Sequence, residues 1–323
     1  MHSAHPPRWK TLVAFAIIYF VWGSTFYAIR VAVHEMPPLL CAAMRFTLAG
    51  VVLFTWAVAQ GERLPSRREW AGIALVAFLI FVVDYGFLFW AEQRVPSGTA
   101  AVILATIPAF MALAEILLLR SERLTLRLGS ALLVGLAGVV VLVDPALGMS
   151  AAPIYVLGAA GLLLSAISWS VASVLSKKLT MPSSKVMSAA AQMLVGGLLL
   201  CIVAAAAGEE RGFHAGGVSA EAWIALAYLI VAGSIVGFTA YTWLLHHQSP
   251  TKVGTYAYVN PVVAVVLGHF LGREVLDVRT VLGTVLVLLS VIVITTRRKS
   301  NAAAGSADPR PAAGAPAQPD TQT

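Results

Sequence analysis

Two ionisable side chains of opposite sign, Arg45 and Asp84, stand inside long apolar runs. A lone charge in lipid is costly, so such residues face a bundle interior or pair with one another. If both runs are helices rising about 1.5 Å per residue through a hydrocarbon core of about 30 Å, both side chains lie roughly 9 Å from the same membrane surface. Two chemistries fit that placement. One is an ion pair that fixes one end of the bundle. The other is a working site in which Arg45 receives a ligand carboxylate, or Asp84, with Tyr85 beside it, carries a proton. Trp22 and Trp169 lie roughly 12 and 10 Å from the far ends of their helices, too deep for an interfacial tryptophan belt. They serve either as packing or as a stacking wall, and Ser24 adds a hydroxyl two residues beyond Trp22. Tyr256, Tyr258 and Asn260 crowd polar groups into one short stretch that would be wasted on lipid. Pro108 and Pro261 sit near the middle of their runs, where proline removes a helical hydrogen bond and frees a carbonyl. Glu115, near the end of its run, is expected to reach water or Arg120. His246, His247 and His269 are expected near the surfaces.

No G-x-x-x-x-G-K-[ST], H-E-x-x-H, C-x-x-C or G-x-S-x-G string occurs, nor an Asp-rich metal cluster. No cofactor or metal is therefore expected, and nucleotide hydrolysis by a phosphate-binding loop is excluded. Cys41 and Cys201 lie inside apolar runs and say nothing of redox compartment.

The elements that position these residues follow from composition. Of 323 residues, 59% are hydrophobic and 11% charged, against roughly 25% charged in a soluble domain, and the mean hydropathy is +0.84. A soluble enzyme is excluded. The chain reads as an all-α integral membrane protein, since a backbone in lipid must satisfy its own hydrogen bonds. Ten runs can be marked, at 11–33, 39–59, 70–91, 97–119, 127–143, 154–176, 185–207, 221–245, 252–272 and 279–296. No cleavable signal peptide is expected, because the first run exceeds a signal core. Residues 1–10 form a short leading segment, and 297–323, rich in Ala and Pro, a tail without a core to bury. With the N-terminus inside, 15 Lys and Arg fall in inner loops against 5 in outer ones, the bias expected of a cytoplasmic face. Both termini are thus expected in the cytoplasm. The net charge of +7 has this explanation and calls for no nucleic acid.

An internal repeat is the strongest organisational signal. An offset of 147 brings Trp22 onto Trp169, Arg30 onto Lys177, Arg45 onto Gln192 and Gly50 onto Gly197. Later the offset becomes 153, bringing Trp90 onto Trp243 and Pro108 onto Pro261. Each half, 11–143 and 154–296, holds five spans. An odd number sets the second half upside down, the arrangement that builds alternating-access transporters with a site near the midplane.

Trp22-Gly23-Ser24-Thr25-Phe26 with Arg30, then Arg45-Phe46, Gly98-Thr99-Ala100-Ala101 leading to Pro108, Glu122-Arg123-Leu124, and Trp169 through Lys177, occur in that order. In this the chain resembles the EamA-type drug/metabolite transporters over about residues 11–296. It departs at Gln192, which replaces Arg45, and at Trp169-Ser170-Val171-Ala172-Ser173, which replaces the WGSTF run. The resemblance implies ten helices in two inverted five-helix repeats. It also implies movement of a small organic substrate such as an amino acid, nucleobase or drug, often outward, across a bacterial inner membrane. The drive would be a gradient of substrate, proton or sodium. Trp22, Ser24, Arg45, Asp84, Tyr85, Trp169, Tyr258 and Asn260 are then the candidate substrate pathway, with Pro108 and Pro261 as hinges. A lipid-handling or scaffold protein and, less well supported, a membrane enzyme are the competing readings. The oligomeric state is not readable.

Overall fold

In the computed structural model, residues 7–119, 126–143, 153–248 and 253–304 are described. Nearly all of them are helical, and the described residues contain no strand. The first five helices are α1 (Arg8–Glu35), α2 (Pro38–Ala59), α3 (Arg67–Glu92), α4 (Ser97–Leu119) and α5 (Leu126–Val143). The second five are α6 (Pro153–Leu175), α7 (Lys185–Ala206), α8 (Ala220–Leu245), α9 (Tyr256–Phe270) and α10 (Val278–Ala304). Seven of them, α1 to α4 and α6 to α8, are long and apolar enough to cross a bilayer, and α9 and α10 contain shorter apolar stretches, Val259–Phe270 and Val278–Ser290.

Local sequence sets the boundaries. Pro38 opens α2 at the position where a missing N–H costs nothing. Ser66 and Glu69 form a reciprocal capping box on α3, and Ser184 and Ser219 cap α7 and α8. Helices α2 and α7 end alike. Gly61 and Gly208, 147 residues apart, adopt φ of 78° and 72°, a left-handed conformation that glycine enters without a steric penalty. After each, the next N–H bonds back into the last turn, Glu62 to Ala57 at 3.1 Å and Glu209 to Ala204 at 3.0 Å.

The two halves meet where α2 crosses α7. A Cβ at Gly50 would lie 2.5 Å from the Leu194 nitrogen, and a Cβ at Gly197 would lie 2.4 Å from the Thr47 nitrogen. Residues 47 and 50 are carried onto 194 and 197 by the repeat offset, so each contact is the image of the other. Such reciprocity is the mark of a two-fold relation, and it makes the second half an inverted copy of the first. The same relation links α1 packed on α9 with α6 packed on α4.

Two differences from the sequence reading appear here. Helix α10 runs on to Ala304, past the expected end at 296, because Arg297-Arg298-Lys299 and Ala302-Ala303-Ala304 are good helix formers; residues 305–323 lie outside the described residues. Glu115 is buried and pairs with Lys177 at 3.3 Å, since α6 ends beside it, and so does not face water; Arg120, the other expected contact, lies outside the described residues. The Glu122-Arg123-Leu124 stretch lies outside the described residues.

Candidate functional site

Three helices lose α-geometry where the site lies. π-Helical turns occupy Ile17–Val21 in α1, Phe78–Tyr85 in α3 and Leu229–Val236 in α8. A π turn spreads the hydrogen-bond ladder and is frequent at functional sites. Each of the three meets a polar side chain from another helix. Asn260, with its amide nitrogen set to donate, reaches the carbonyls of Tyr19 at 2.9 Å and Ile18 at 3.1 Å, as well as Tyr256 in its own helix at 3.2 Å. Trp22 Nε1, just past the first π turn, donates to the Gly233 carbonyl in the third at 3.0 Å. Arg45 Nε donates to Ser234 Oγ there at 2.8 Å. The second π turn ends in Asp84 and Tyr85.

Between these turns is a cavity of about 60 Å³ lined by Trp22, Asp84, Tyr85, Trp169, Tyr256 and Asn260, with Thr25, Pro261 and apolar side chains completing the wall. The rings are contiguous: Trp22 lies 5.4 Å from Tyr256 and 5.8 Å from Trp169, and Trp169 lies 6.2 Å from Tyr85. Tyr241 backs both tryptophans at 5.0 and 5.4 Å. Asp84 accepts a short hydrogen bond at Oδ1 from Ser165 of α6.

Arg45 and Asp84 share their depth but are not partners. Among the described residues no ion pair joins them. Arg45 is buried with its guanidinium over Phe46, Tyr85 and Phe89, at 4.6, 5.1 and 5.8 Å, and Nη1 finds no hydrogen bond. It stands against Tyr85 and is absent from the cavity wall. Ser24 also lies outside the wall, bonded to Tyr228 at 2.6 Å and to the Val21 carbonyl at 2.7 Å. The side chain of Tyr258 lies outside the described residues. Pro108 follows a break in α4 at Ala105–Thr106, and it is Ala105 and Ile107 that touch the cavity. Pro261 lies within α9 and touches it directly.

One end of the bundle is stitched across the halves by carboxylates on helix N-termini, where free N–H groups favour negative charge. Glu274, between α9 and α10, accepts from Ser97 N at 2.8 Å, Ser97 Oγ at 2.7 Å and Gly98 N at 3.2 Å, and pairs with Arg30 at 3.3 Å. Arg30 also donates to the carbonyls of Glu92 and Val95 at 3.0 and 2.8 Å. Glu35 accepts from Ser219 N at 2.6 Å and its hydroxyl at 2.7 Å, and Glu209 accepts from Leu40 N at 2.8 Å. Burial raises the Glu209 carboxyl above the usual range. The Glu92 carboxyl is fully buried, with neither oxygen bonded.

The pattern of the EamA-like transporter family matches residues 9–144 and again 156–296, once on each half. The chain belongs to this family. Among its relatives is the uncharacterized inner membrane transporter YedA of Escherichia coli K12, 35% identical over 86% of this chain and 88% of that one. The uncharacterized transporter YvbV of Bacillus subtilis is 25% identical over 92% and 95%. A WAT1-related chloroplastic protein of Arabidopsis thaliana is 26% identical over 89% of this chain and 69% of that one. A protein solved by crystallography has the same fold, with TM-score 0.64 and 23% identity over 92% of this chain and 99% of the other. As an EamA-like chain with ten helices in two inverted halves, the molecule is a multi-pass membrane transporter.

Of the eight pathway candidates, Trp22, Asp84, Tyr85, Trp169 and Asn260 line one cavity in this EamA-like frame, and the hinge candidate Pro261 touches it. Sequence reasoning gave no site role to Ser165, Tyr241 or Glu274. Ser165 follows Leu162-Leu163-Leu164 and Tyr241 stands in an apolar run, and their roles appear only when α6 and α8 dock on the first half. Glu274 does carry a signal, an acidic residue among turn residues that the repeat aligns with Glu122.

Proposed function

We propose that this protein is a secondary transporter that exports small organic metabolites across the bacterial inner membrane by alternating access. The substrate binds in the aromatic cavity between the inverted halves. One observation carries the reading: the cavity lies between π turns of both halves, while carboxylate bridges between those halves close one end. In the orientation favoured by the basic loops, both termini face the cytoplasm and the Glu35, Glu209 and Glu274 bridges close the outer face. Export then proceeds as the halves rock, parting the outer bridges and closing the inner mouth, driven by a gradient of substrate, proton or sodium.

The test has two parts. Cells overproducing the protein are screened for growth against toxic amino acids, nucleobase analogues and amines. Compounds that give protection are then followed by counterflow in proteoliposomes holding the purified protein. A carrier accelerates exchange of labelled compound without altering it. Absence of exchange with every protective compound, with the protein correctly inserted, would favour a lipid-handling or scaffold role.

A further inference from the structure

We propose that the central cavity selects a protonated primary or secondary amine with an apolar body, and rejects acids and zwitterionic amino acids of the same shape. The proposal rests on the cavity being the transport site, and it follows from the charge inventory of the wall. Asp84 is the one carboxylate among the lining residues, which include no Lys, Arg or His. Its Oδ1 is engaged by Ser165, and the other oxygen carries no bond of this kind and can accept from an N–H of the ligand. The surrounding Trp22, Tyr85, Trp169 and Tyr256 rings present π faces, whose negative quadrupole attracts a cation. Asn260 spends its amide nitrogen on the Ile18, Tyr19 and Tyr256 carbonyls, so its carbonyl oxygen is what that side chain can still offer. The one charged group in the wall is thus a carboxylate, the counterpart of an ammonium, while Trp169 Nε1 brings an N–H without an acceptor and the tyrosine hydroxyls can donate or accept.

The cation that could have received a carboxylate is turned away. Arg45 bonds to Ser234 and lies over Phe46, Tyr85 and Phe89, with Tyr85 itself part of the wall. A ligand carboxylate in the cavity would face Asp84 with no cation among the lining residues to offset the repulsion. Size sharpens the assignment. A volume of about 60 Å³ has room for about four waters at the 10–15 Å³ each requires, enough for an ammonium and its first carbons. The rest of the ligand must lie along the apolar part of the wall, Phe26, Leu88, Leu104 and Ile107, as the halves part.

Four probes with one phenylethyl body separate the possibilities: 2-phenylethylamine, L-phenylalanine, 3-phenylpropionate and 2-phenylethanol. Binding to the purified full chain in nanodiscs is read by tryptophan fluorescence, and exchange by counterflow in proteoliposomes. The expected result is that 2-phenylethylamine binds about tenfold or more tightly than the other three. Asp84→Asn should remove that preference, and Asp84→Glu should restore part of it in a protein that remains monodisperse. Preference for L-phenylalanine or 3-phenylpropionate, lost in Arg45→Gln, overturns the proposal and makes the site a carboxylate receptor. Equal binding of all four, or no binding of 2-phenylethylamine, also overturns it, whatever other compound the growth screen finds. Binding of 2-phenylethylamine with Asp84 dependence but without exchange leaves the amine site standing and refutes transport through it.

Discussion

Placing a methyl group at Gly50 drives it into the main chain of α7, because the nearest atoms are Leu194 N at 2.5 Å, Leu194 Cα at 2.6 Å and the Met193 carbonyl carbon at 2.9 Å. Ordinary contact begins near 3.4 Å, so the helices must part by about 1 Å, and no rotamer change can relieve a clash with backbone. Overpacking of this kind costs about 1–3 kcal/mol, partly offset by the gain of about 1 kcal/mol when alanine replaces a mid-helix glycine. Gly197→Ala meets Thr47 N at 2.4 Å and carries the same expectation. Because the two contacts are images across one crossing, a separation that admits the first methyl admits most of the second. The double mutant should therefore cost clearly less than the sum of the singles, an interaction of about 0.5–3 kcal/mol in a double-mutant cycle. Reversible unfolding of the purified protein in mixed micelles measures all four corners. Strictly additive losses, or single mutants as stable as the parent, would show that α2 and α7 do not cross at these glycines and would remove the two-fold relation from the fold.

Trp22→Phe keeps an aromatic ring, smaller than the indole, but leaves the Gly233 carbonyl without its donor, so stability should fall by about 1–3 kcal/mol, seen as a lower unfolding midpoint in the same assay. Glu274→Gln weakens the bonds to Ser97, Gly98 and Arg30, and should increase labelling of a cysteine at Trp22 by a membrane-impermeant thiol reagent applied from outside. Unchanged labelling, with the protein at normal level, would remove Glu274 from closure. Reporter fusions after Lys299 and within 208–220 should read cytoplasm and exterior respectively, and one compartment for both would overturn the orientation.

What sequence could and could not disclose divides along physical lines. Helices, their order and the inverted repeat were readable because apolar length and a fixed residue offset are properties of the chain alone. Gly50 and Gly197 were aligned before their contact was visible, and the crossing explains why both are glycine. Depth was readable as well, and it misled for Arg45 and Asp84. Residue count gives height along a helix but not the direction in which a side chain leaves it, so two charges at one level were paired that in fact reach Ser234 and Ser165. The π turns had no legible sequence signature, since a single additional residue per turn alters no composition or period over so short a stretch. The carboxylate bridges at Glu35, Glu209 and Glu274 join positions far apart in the chain, which local patterns do not connect.

The π turns also make the site unequal. The turns in α3 and α8 are both eight residues long and occupy the third span of each half. The turn in α1 has no counterpart in α6, which is α-helical from Pro153 to Leu175. The glycine crossing is two-fold, but the cavity is not: the first half brings two widened turns to it and the second half one. A substrate therefore meets a lopsided pocket between halves that are otherwise paired.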